Sequence, residues 1–386
     1  MTWSSPQSPG EPDEVRFGSS RPPRRRWPGS RGPGSRWPGS HWPGGRWARW
    51  PLVLAGAAVV AVAAVLTLGR SPVKLSSAQS QVTVTQAGHP LLGVRGGWEL
   101  VGYGPNRAVR IQLARGRVTQ TLVPPLASTG PVSFVAGPAQ MVIRPLDVVP
   151  GYLVPDGKPA RPLRGVLSHG GWVIPGPRPG EAWLQDSARS LALVRLDGSR
   201  TGVSIHLPPG EWWLASPNGR GNVLLSGVGE IFDVWPGGFR YVGGILAAVG
   251  PTRWLTVNCY RPRPCVDVVT DPATGAHRDL GGPAVTPASP GVISPDGASA
   301  AIYRVTPGGH VALHLLDLAT GTDQQVAVRL NQNAAGPGTL VWSPDSRWLF
   351  VITAHGGLAA VNARSLQAEG LGVRLPWLSQ IATRPG

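Results

Sequence analysis

Beyond residue 90, short apolar runs alternate with clusters of Gly, Pro, Asp and Asn, and no helical period lasts for three turns. In runs such as 109–113 and 266–268, apolar side chains recur at every second position. A period of two is typical of a strand with one buried face, and Gly, Pro, Asp and Asn mark the turns between strands. The pattern therefore predicts many short antiparallel strands.

Seven similar turns recur along this region at intervals of about 41 residues, the length that four short strands and their turns occupy in one propeller blade. Each turn follows an alternating apolar run. The spacing predicts an all-β fold, a seven-bladed β-propeller over residues 89–386. The turns begin at Ala114, Asp156, Asp197, Trp235, Asp271, Asp317 and Asn362.

A second kind of turn precedes the first in several units. It reads Ser-Pro-Asn-Gly at 216–219, Ser-Pro-Asp-Gly at 294–297 and Ser-Pro-Asp-Ser at 343–346. Pro presets φ, Asp or Asn accepts hydrogen bonds from nearby backbone, and Gly adopts positive φ. We therefore assign structural roles to residues of both kinds of turn. They are Pro217, Asn218, Pro295, Asp296, Pro344, Asp345, Asp271, Gly275, Asp317 and Gly321.

Residues 293–305 and 342–353 resemble the repeats of TolB-type β-propellers, which are relatives of WD-repeat blades. The resemblance is clear over about 290–366, weak over 212–285 and only periodic before that. It implies a propeller that acts mainly as a binding platform, with partners on one face or at the central channel. The first units lack the Ser-Pro-Asp-Gly turn, so the resemblance implies no particular partner.

Two segments are candidates for closing the ring. Val82–Val84 predicts a strand that completes the last blade. Alternatively, Leu375–Ile381 supplies a final strand beside the first blade. Either pairing leaves few exposed strand edges, as a propeller requires.

The first 69 residues have a different composition. Residues 1–49 repeat Arg-Trp-Pro-Gly-Ser-like units with almost no aliphatic side chains, which predicts a disordered tail. Residues 50–69 carry no charge and match the thickness of a bilayer, which predicts an uncleaved transmembrane helix. A cleaved signal peptide is the alternative. Arg46 and Arg49 precede the span, so the tail is expected in the cytoplasm and everything from residue 70 outside it.

The next segment, 70–88, is interpreted as a linker with a possible closing strand. The chain has only two cysteines, Cys259 and Cys265, which frame one short loop. In an oxidising compartment they are expected to form a disulfide. Free thiols or half of a metal site are the alternatives.

No phosphate-binding loop, zinc-protease helix, nucleophile elbow or calcium loop occurs in the sequence. His310 and His314 share one strand face, and Ser168 precedes His169, but turns and exposed strand faces account for these residues. We therefore expect no catalytic site, metal or cofactor. The alternative is a hydrolase or lyase with acidic or histidine side chains converging in the central channel.

Charge indicates possible partners. Residues 70–386 contain 27 Lys+Arg and 17 Asp+Glu, which favours an anionic wall polymer, a lipid head group or an acidic protein. A GC-rich coding bias would give the same composition. The Arg/Trp tail next to the span is suited to anionic lipid, and less to nucleic acid; a purely topogenic role is the simplest interpretation. Taken together, the sequence predicts a single-pass bacterial membrane protein that displays a binding propeller outside the cytoplasm, with a sensor role as a further alternative.

Overall fold

The computed structural model describes one compact unit within Ser76–Gly386. The predicted tail, the predicted transmembrane span and most of the predicted linker lie outside the described residues. In the part that is described, no helix has the length and hydropathy that crossing a membrane requires. The described ranges are 81–126, 132–146, 151–169, 171–210, 214–227, 230–259, 264–281, 284, 287–306, 308–330 and 338–386.

The described residues form an all-β, propeller-like arrangement of six hydrogen-bonded sheets. Five of these sheets have the size of a single blade. One sheet has five strands, β1 (Val82–Gln86), β2 (Trp98–Gly104), β3 (Arg107–Gln112), β4 (Arg117–Leu122) and, from the chain end, β29 (Gln380–Pro385). Two four-stranded sheets follow, β5 (Val132–Ala136), β6 (Gln140–Pro145), β7 (Tyr152–Pro155) and β8 (Arg161–Pro162), then β9 (Val173–Pro175), β10 (Glu181–Ser187), β11 (Ser190–Arg195) and β12 (Arg200–His206).

The fourth sheet also has four strands, and the next has eight. The fourth contains β13 (Leu214–Pro217), β14 (Val223–Ser226), β15 (Ile231–Trp235) and β16 (Gly238–Tyr241). One arm of the eight-stranded sheet contains β17 (Ile245–Val249), β18 (Trp254–Asn258), β19 (Val266–Thr270) and β20 (His277–Asp279). Its other arm contains β21 (Pro287–Ile293), β22 (Ser299–Val305), β23 (Val311–Asp317) and β24 (Asp323–Gln325). The last four-stranded sheet contains β25 (Leu340–Trp342), β26 (Trp348–Ile352), β27 (Leu358–Asn362) and β28 (Ala368–Gly370).

The prediction of seven separate blades therefore needs correction: the described strands give five blade-sized sheets and one double-sized sheet. Strands β17 and β21 pair in parallel, through Ala248 with Gly291 and Val249 with Val292. Strand β21 therefore hydrogen-bonds on both edges, to β17 on one side and to β22 on the other, which joins two four-stranded arms into one sheet. A bulge between Ser289 and Val292 shifts its register to β22.

The first strands β5, β9, β13, β17, β21 and β25 lie around a centre, and β29 takes the corresponding place in the first sheet. Neighbouring pairs in contact are β5 and β9, β9 and β13, β17 and β21, β21 and β25, β25 and β29, and β29 and β5. Between β13 and β17 the turns after the two strands pack closely, because a Cβ on Gly219 would overlap Pro251. The indole Nε1 of Trp254 also donates to the Asn218 carbonyl at 3.0 Å. These contacts complete a ring of first strands.

Closure joins the two ends of the described chain in one sheet. β29 pairs antiparallel with β2, from Trp98 opposite Pro385 to Tyr103 opposite Gln380. The final strand therefore lies beside the first unit, as the second closure hypothesis predicted, but it begins at Gln380. β1 pairs with β4 at the outer edge of this same sheet. Val82–Val84 thus belongs to the first sheet, and the hypothesis that it completes the last one is wrong.

The two predicted kinds of turn have local hydrogen bonds that explain them. The Asp271 carboxylate accepts from the N–H groups of Ala273 (2.7 Å) and Thr274 (3.2 Å), and Asp317 does the same two and three residues on. These bonds lower the pKa of both carboxyl groups. Gly275 and Gly321 end the turns at φ +74° and +75°. Such φ values cost a glycine little.

In the Ser-Pro-Asp turns, the serine hydroxyl connects the two ends of the turn by hydrogen bonds to the residues two and five positions on. Ser294 Oγ donates to Asp296 (2.6 Å) and accepts from the Ser299 N–H (3.0 Å). Ser343 repeats both bonds with Asp345 and with the Trp348 N–H. Pro295 and Pro344 each follow the serine, as the motif requires. At the related turn, Asn218 instead donates its side-chain amide to Asp233 at 2.7 Å.

The core lies between adjacent sheets. Trp98 of the first sheet packs edge-on against Phe350 of the last, with ring centroids 5.9 Å apart. Leu255 and Ile302 lie in one buried cluster between the two arms of the eight-stranded sheet. At the end of the first arm, Cys259 and Cys265 form a disulfide across the loop from β18 to β19.

Candidate functional site

A cavity of about 290 Å³ lies among the first strands of the ring. Strands β13, β17, β21 and β25 and the turns beside them build its wall. The residues that line it are Ser216, Pro217, Gly219, Val249, Gly250, Pro251, Pro290, Gly291, Val292, Gly338 and Leu340. We call this the central cavity.

The lining of the central cavity is apolar and contains no ionisable side chain. Three prolines supply ring carbons and lack the N–H group, and Val249, Val292 and Leu340 supply branched side chains. Among the lining residues only Ser216 has a polar side chain. General acid–base catalysis needs a group that exchanges a proton, so this wall is suited to holding an apolar group rather than to such chemistry.

Three residues of the central cavity, Ser216, Pro217 and Gly219, belong to the Ser-Pro-Asn-Gly turn that the sequence predicted, and only Pro217 of these was assigned a structural role. The structure places Pro217 at the end of β13 with its ring in the wall. The signal that was missed is a proline at or just after the first strand of three successive units. These are Pro217, Pro251 and Pro290.

A buried ionic network lies where the ring closes. Glu99 accepts hydrogen bonds from Arg110 (2.7 Å to Nε), Gln112 (2.7 Å) and Arg384 (3.0 Å to a terminal nitrogen). Arg384 also donates to Asp156 of the neighbouring sheet at 2.6 Å. Burial would raise the pKa of Glu99, but the hydrogen bonds from Arg110, Arg384 and Gln112 outweigh it and lower the pKa. Every charge in this network is paired, which indicates a structural role.

A second ionic network joins the two arms of the eight-stranded sheet. Arg304 contacts Asp267 (2.8 Å) and Asp323 (2.7 Å), and His314 Nδ1 lies 2.8 Å from Asp323. Burial raises the pKa of Asp267 despite the nearby guanidinium. Burial would also raise the pKa of Asp323, but the interactions with His314 and Arg304 outweigh burial and lower this pKa. Asp267 is only 6% exposed, so a substrate could not reach its carboxylate without separating the arms.

The histidines and the serine that the sequence offered as candidates for catalysis or metal binding have different surroundings in the structure. His314 is paired with Asp323, whereas His310 is exposed in the turn before β23. Ser168 Oγ lies 2.9 Å from His169 Nδ1 and 2.7 Å from the Gly165 carbonyl, at the end of a short 3-10 helix, Gly165–Ser168. Within the described ranges, no three His, Cys, Asp or Glu side chains are grouped to hold a metal ion.

No protein-family model and no curated protein matches the chain. Solved structures do match it, and TolB from Acinetobacter baumannii is one (12% identity, TM-score 0.44, 75% of this chain and 66% of TolB). A puromycin-hydrolyzing peptidase from Mycobacterium tuberculosis gives 14% identity and a TM-score of 0.48, over 75% of this chain and 53% of the peptidase. An oligogalacturonate lyase in complex with manganese gives 12% and 0.47, over 72% and 89%. This chain thus spans about two thirds of TolB and about half of the peptidase. TolB-type propellers are among its structural neighbours, in agreement with the resemblance in its Ser-Pro-Asp turns.

Proposed function

We propose that this protein is a single-pass membrane protein that displays a seven-bladed propeller outside the cytoplasm as a binding platform. Its partner is an envelope protein or another cell-surface component. The central cavity carries the proposal, because its apolar wall without ionisable side chains is suited to binding and lacks acid–base groups. A propeller hydrolase or lyase, the alternative, would need acidic or histidine side chains on the first strands.

The proposed count of seven treats the eight-stranded sheet as two blades. Each of its arms has four antiparallel strands, like the separate sheets, and only two parallel residue pairs join the arms. Support for the membrane anchor comes from the uncharged segment 50–69 with arginines before it. The disulfide fits an oxidising compartment outside the cytoplasm.

We expect Val249→Glu to reduce the yield of crosslinked partner at least tenfold in intact membranes. Val249 is half-buried and lines the central cavity, so a carboxylate there would have to lose its water when an apolar group enters. The measurement is crosslinking followed by identification of the captured proteins. Val203→Glu, the same change at an exposed position of β12, is the matched control and should leave the yield unchanged. Undiminished capture by the Val249 variant, with both variants folded, would refute binding at the central cavity.

Topology is tested with epitopes at both ends of the full chain. Protease added to intact cells should remove the C-terminal epitope and spare the N-terminal one, because the bilayer shields only the cytoplasmic tail. Permeabilised cells are the control, in which both epitopes should be lost. Loss of the N-terminal epitope alone from intact cells would reverse the proposed orientation.

A further inference from the structure

A second cavity, of about 410 Å³, lies between the segment before β2 and the turn from β25 to β26. It is separate from the central cavity, and the two share no lining residue. Its wall joins the first sheet to the last one. The lining residues are Leu92, Gly93, Val94, Arg95, Gly96, Asp345, Arg347 and Trp348. We call this the junction cavity.

Two arginines give the junction cavity its charge. Arg95 and Arg347 are both exposed, and within the described part of the chain neither guanidinium has an ion pair or a hydrogen bond. This sets them apart from Arg110, Arg304 and Arg384, whose charges are all paired. Two free guanidinium groups in one concave site are positioned for an anion.

The single carboxylate in the wall, Asp345, is already held by its own turn. It accepts hydrogen bonds from Ser343 Oγ at 2.5 Å and from the Arg347 backbone N–H at 3.2 Å. It therefore orders the backbone that carries Arg347 and does not pair with the guanidinium. The side chains in the junction cavity have a formal charge of +1 (two arginines and one aspartate).

The chemistry of the wall indicates the class of ligand. A guanidinium presents a planar fork of donors that matches phosphate oxygens, and a phosphate monoester carries a charge of about −1.5 to −2 at pH 7. Beside the arginines, the exposed apolar surface is small, because Val94 and Trp348 are 7% and 8% exposed and pack in the core behind the cavity. The wall thus offers donors for a phosphate and leaves room for a small group esterified to it.

We propose that the junction cavity binds a phosphate ester, with Arg95 and Arg347 holding the phosphate group. The proposal does not depend on the central cavity or on the membrane topology. A soluble phosphate ester and a phospholipid head group share this chemistry, and the experiment below distinguishes them.

The test is titration of the detergent-solubilised full chain with glycerol 3-phosphate at fixed ionic strength. We expect saturable binding at one site, and we expect Arg95→Gln combined with Arg347→Gln to raise the Kd at least tenfold. Arg329→Gln combined with Arg374→Gln is the matched control, because both arginines are exposed and lie outside the cavity. This pair removes the same charge and should leave the Kd within twofold.

The proposal fails if the wild-type chain shows no saturable binding, or if the control pair weakens binding as much as the cavity pair. The second result would mean that only the general positive charge attracts phosphate. A second titration, with dihexanoyl phosphatidic acid below its micellar concentration, shows whether the phosphate ester that the cavity binds is a lipid or a soluble molecule. Binding at least tenfold tighter than glycerol 3-phosphate supports the site and indicates a lipid, whereas a Kd within twofold supports it and indicates a soluble ester.

Discussion

Replacing Gly291 with alanine is expected to lower the free energy of unfolding by about 3 kcal/mol or more, the upper end of the range for overpacking. A Cβ at this position would overlap the carbonyl oxygen of Ala301 in β22. Backbone cannot move aside as a flexible side chain can, and on its other side Gly291 pairs with Ala248 of β17. Relief of the overlap would therefore separate β21 from one of its two neighbours. Urea denaturation of the wild type and the variant measures the effect.

Gly370→Ala is the matched control for this prediction. Gly370 lies in the outer strand β28, and nothing lies within 4 Å of the position that a Cβ would take. Alanine costs less backbone entropy than glycine on folding, so the control should be unchanged or more stable by up to about 1 kcal/mol. Hydrogen exchange at Val249 adds a local readout, because loss of the parallel pairing should speed exchange there. Equal stability of the Gly291 variant and the wild type would contradict the argument.

Turns were the part of this fold that the sequence predicted best. A turn is decided by a few adjacent residues, such as the Asp271 carboxylate and the backbone N–H groups two and three positions on. Gly275 supplies the positive φ in the same short stretch. Since the same chemistry recurs at Asp317, spacing and residue type together indicated the repeat before any tertiary contact was known.

Pairing between strands that are distant in the sequence could not be predicted in the same way. The joining of β17 to β21 depends on the pairing of Gly291 with Ala248, which lies 43 positions earlier in the chain. Periodicity gives no information about such a contact. Two hypotheses for the closing strand came from the sequence, and one of them placed it beside the first unit. Neither hypothesis identified the residues of β2 with which this strand pairs.

The central cavity illustrates the same limit. Its wall combines residues from Ser216 to Leu340, drawn from four first strands, and none of them belongs to a chemical motif. Motif searches look for ionisable or nucleophilic residues at short spacing, and an apolar wall has neither. Pro251 and Pro290 become conspicuous only when the repeat is used to align the first strands with one another.

Arg384→Met is expected to lower the free energy of unfolding by about 3–5 kcal/mol, the usual cost of removing one partner from a buried ion pair. Arg384 is 4% exposed and lies in the closing strand β29, where it contacts Glu99, Asp156 and the Gly137 carbonyl. Without it, two carboxylates share the single cation Arg110 across the joint between the first two sheets. Arg374→Met, at an exposed position before β29, is the control and should change stability by less than about 0.5 kcal/mol.

The pH dependence of this loss identifies its origin. Because the pKa of Glu99 is lowered in the folded protein, its ionised form stabilises the fold above the pKa of the unfolded chain. That contribution disappears as the pH falls through the folded pKa. The difference between wild type and Arg384→Met should therefore be largest above about pH 5 and shrink in acid, since a protonated Glu99 needs no cation. If the difference measured by urea denaturation stays constant from pH 7 to pH 3, lost packing rather than an unpaired Glu99 explains it, and the ionic network does not hold the ring closed.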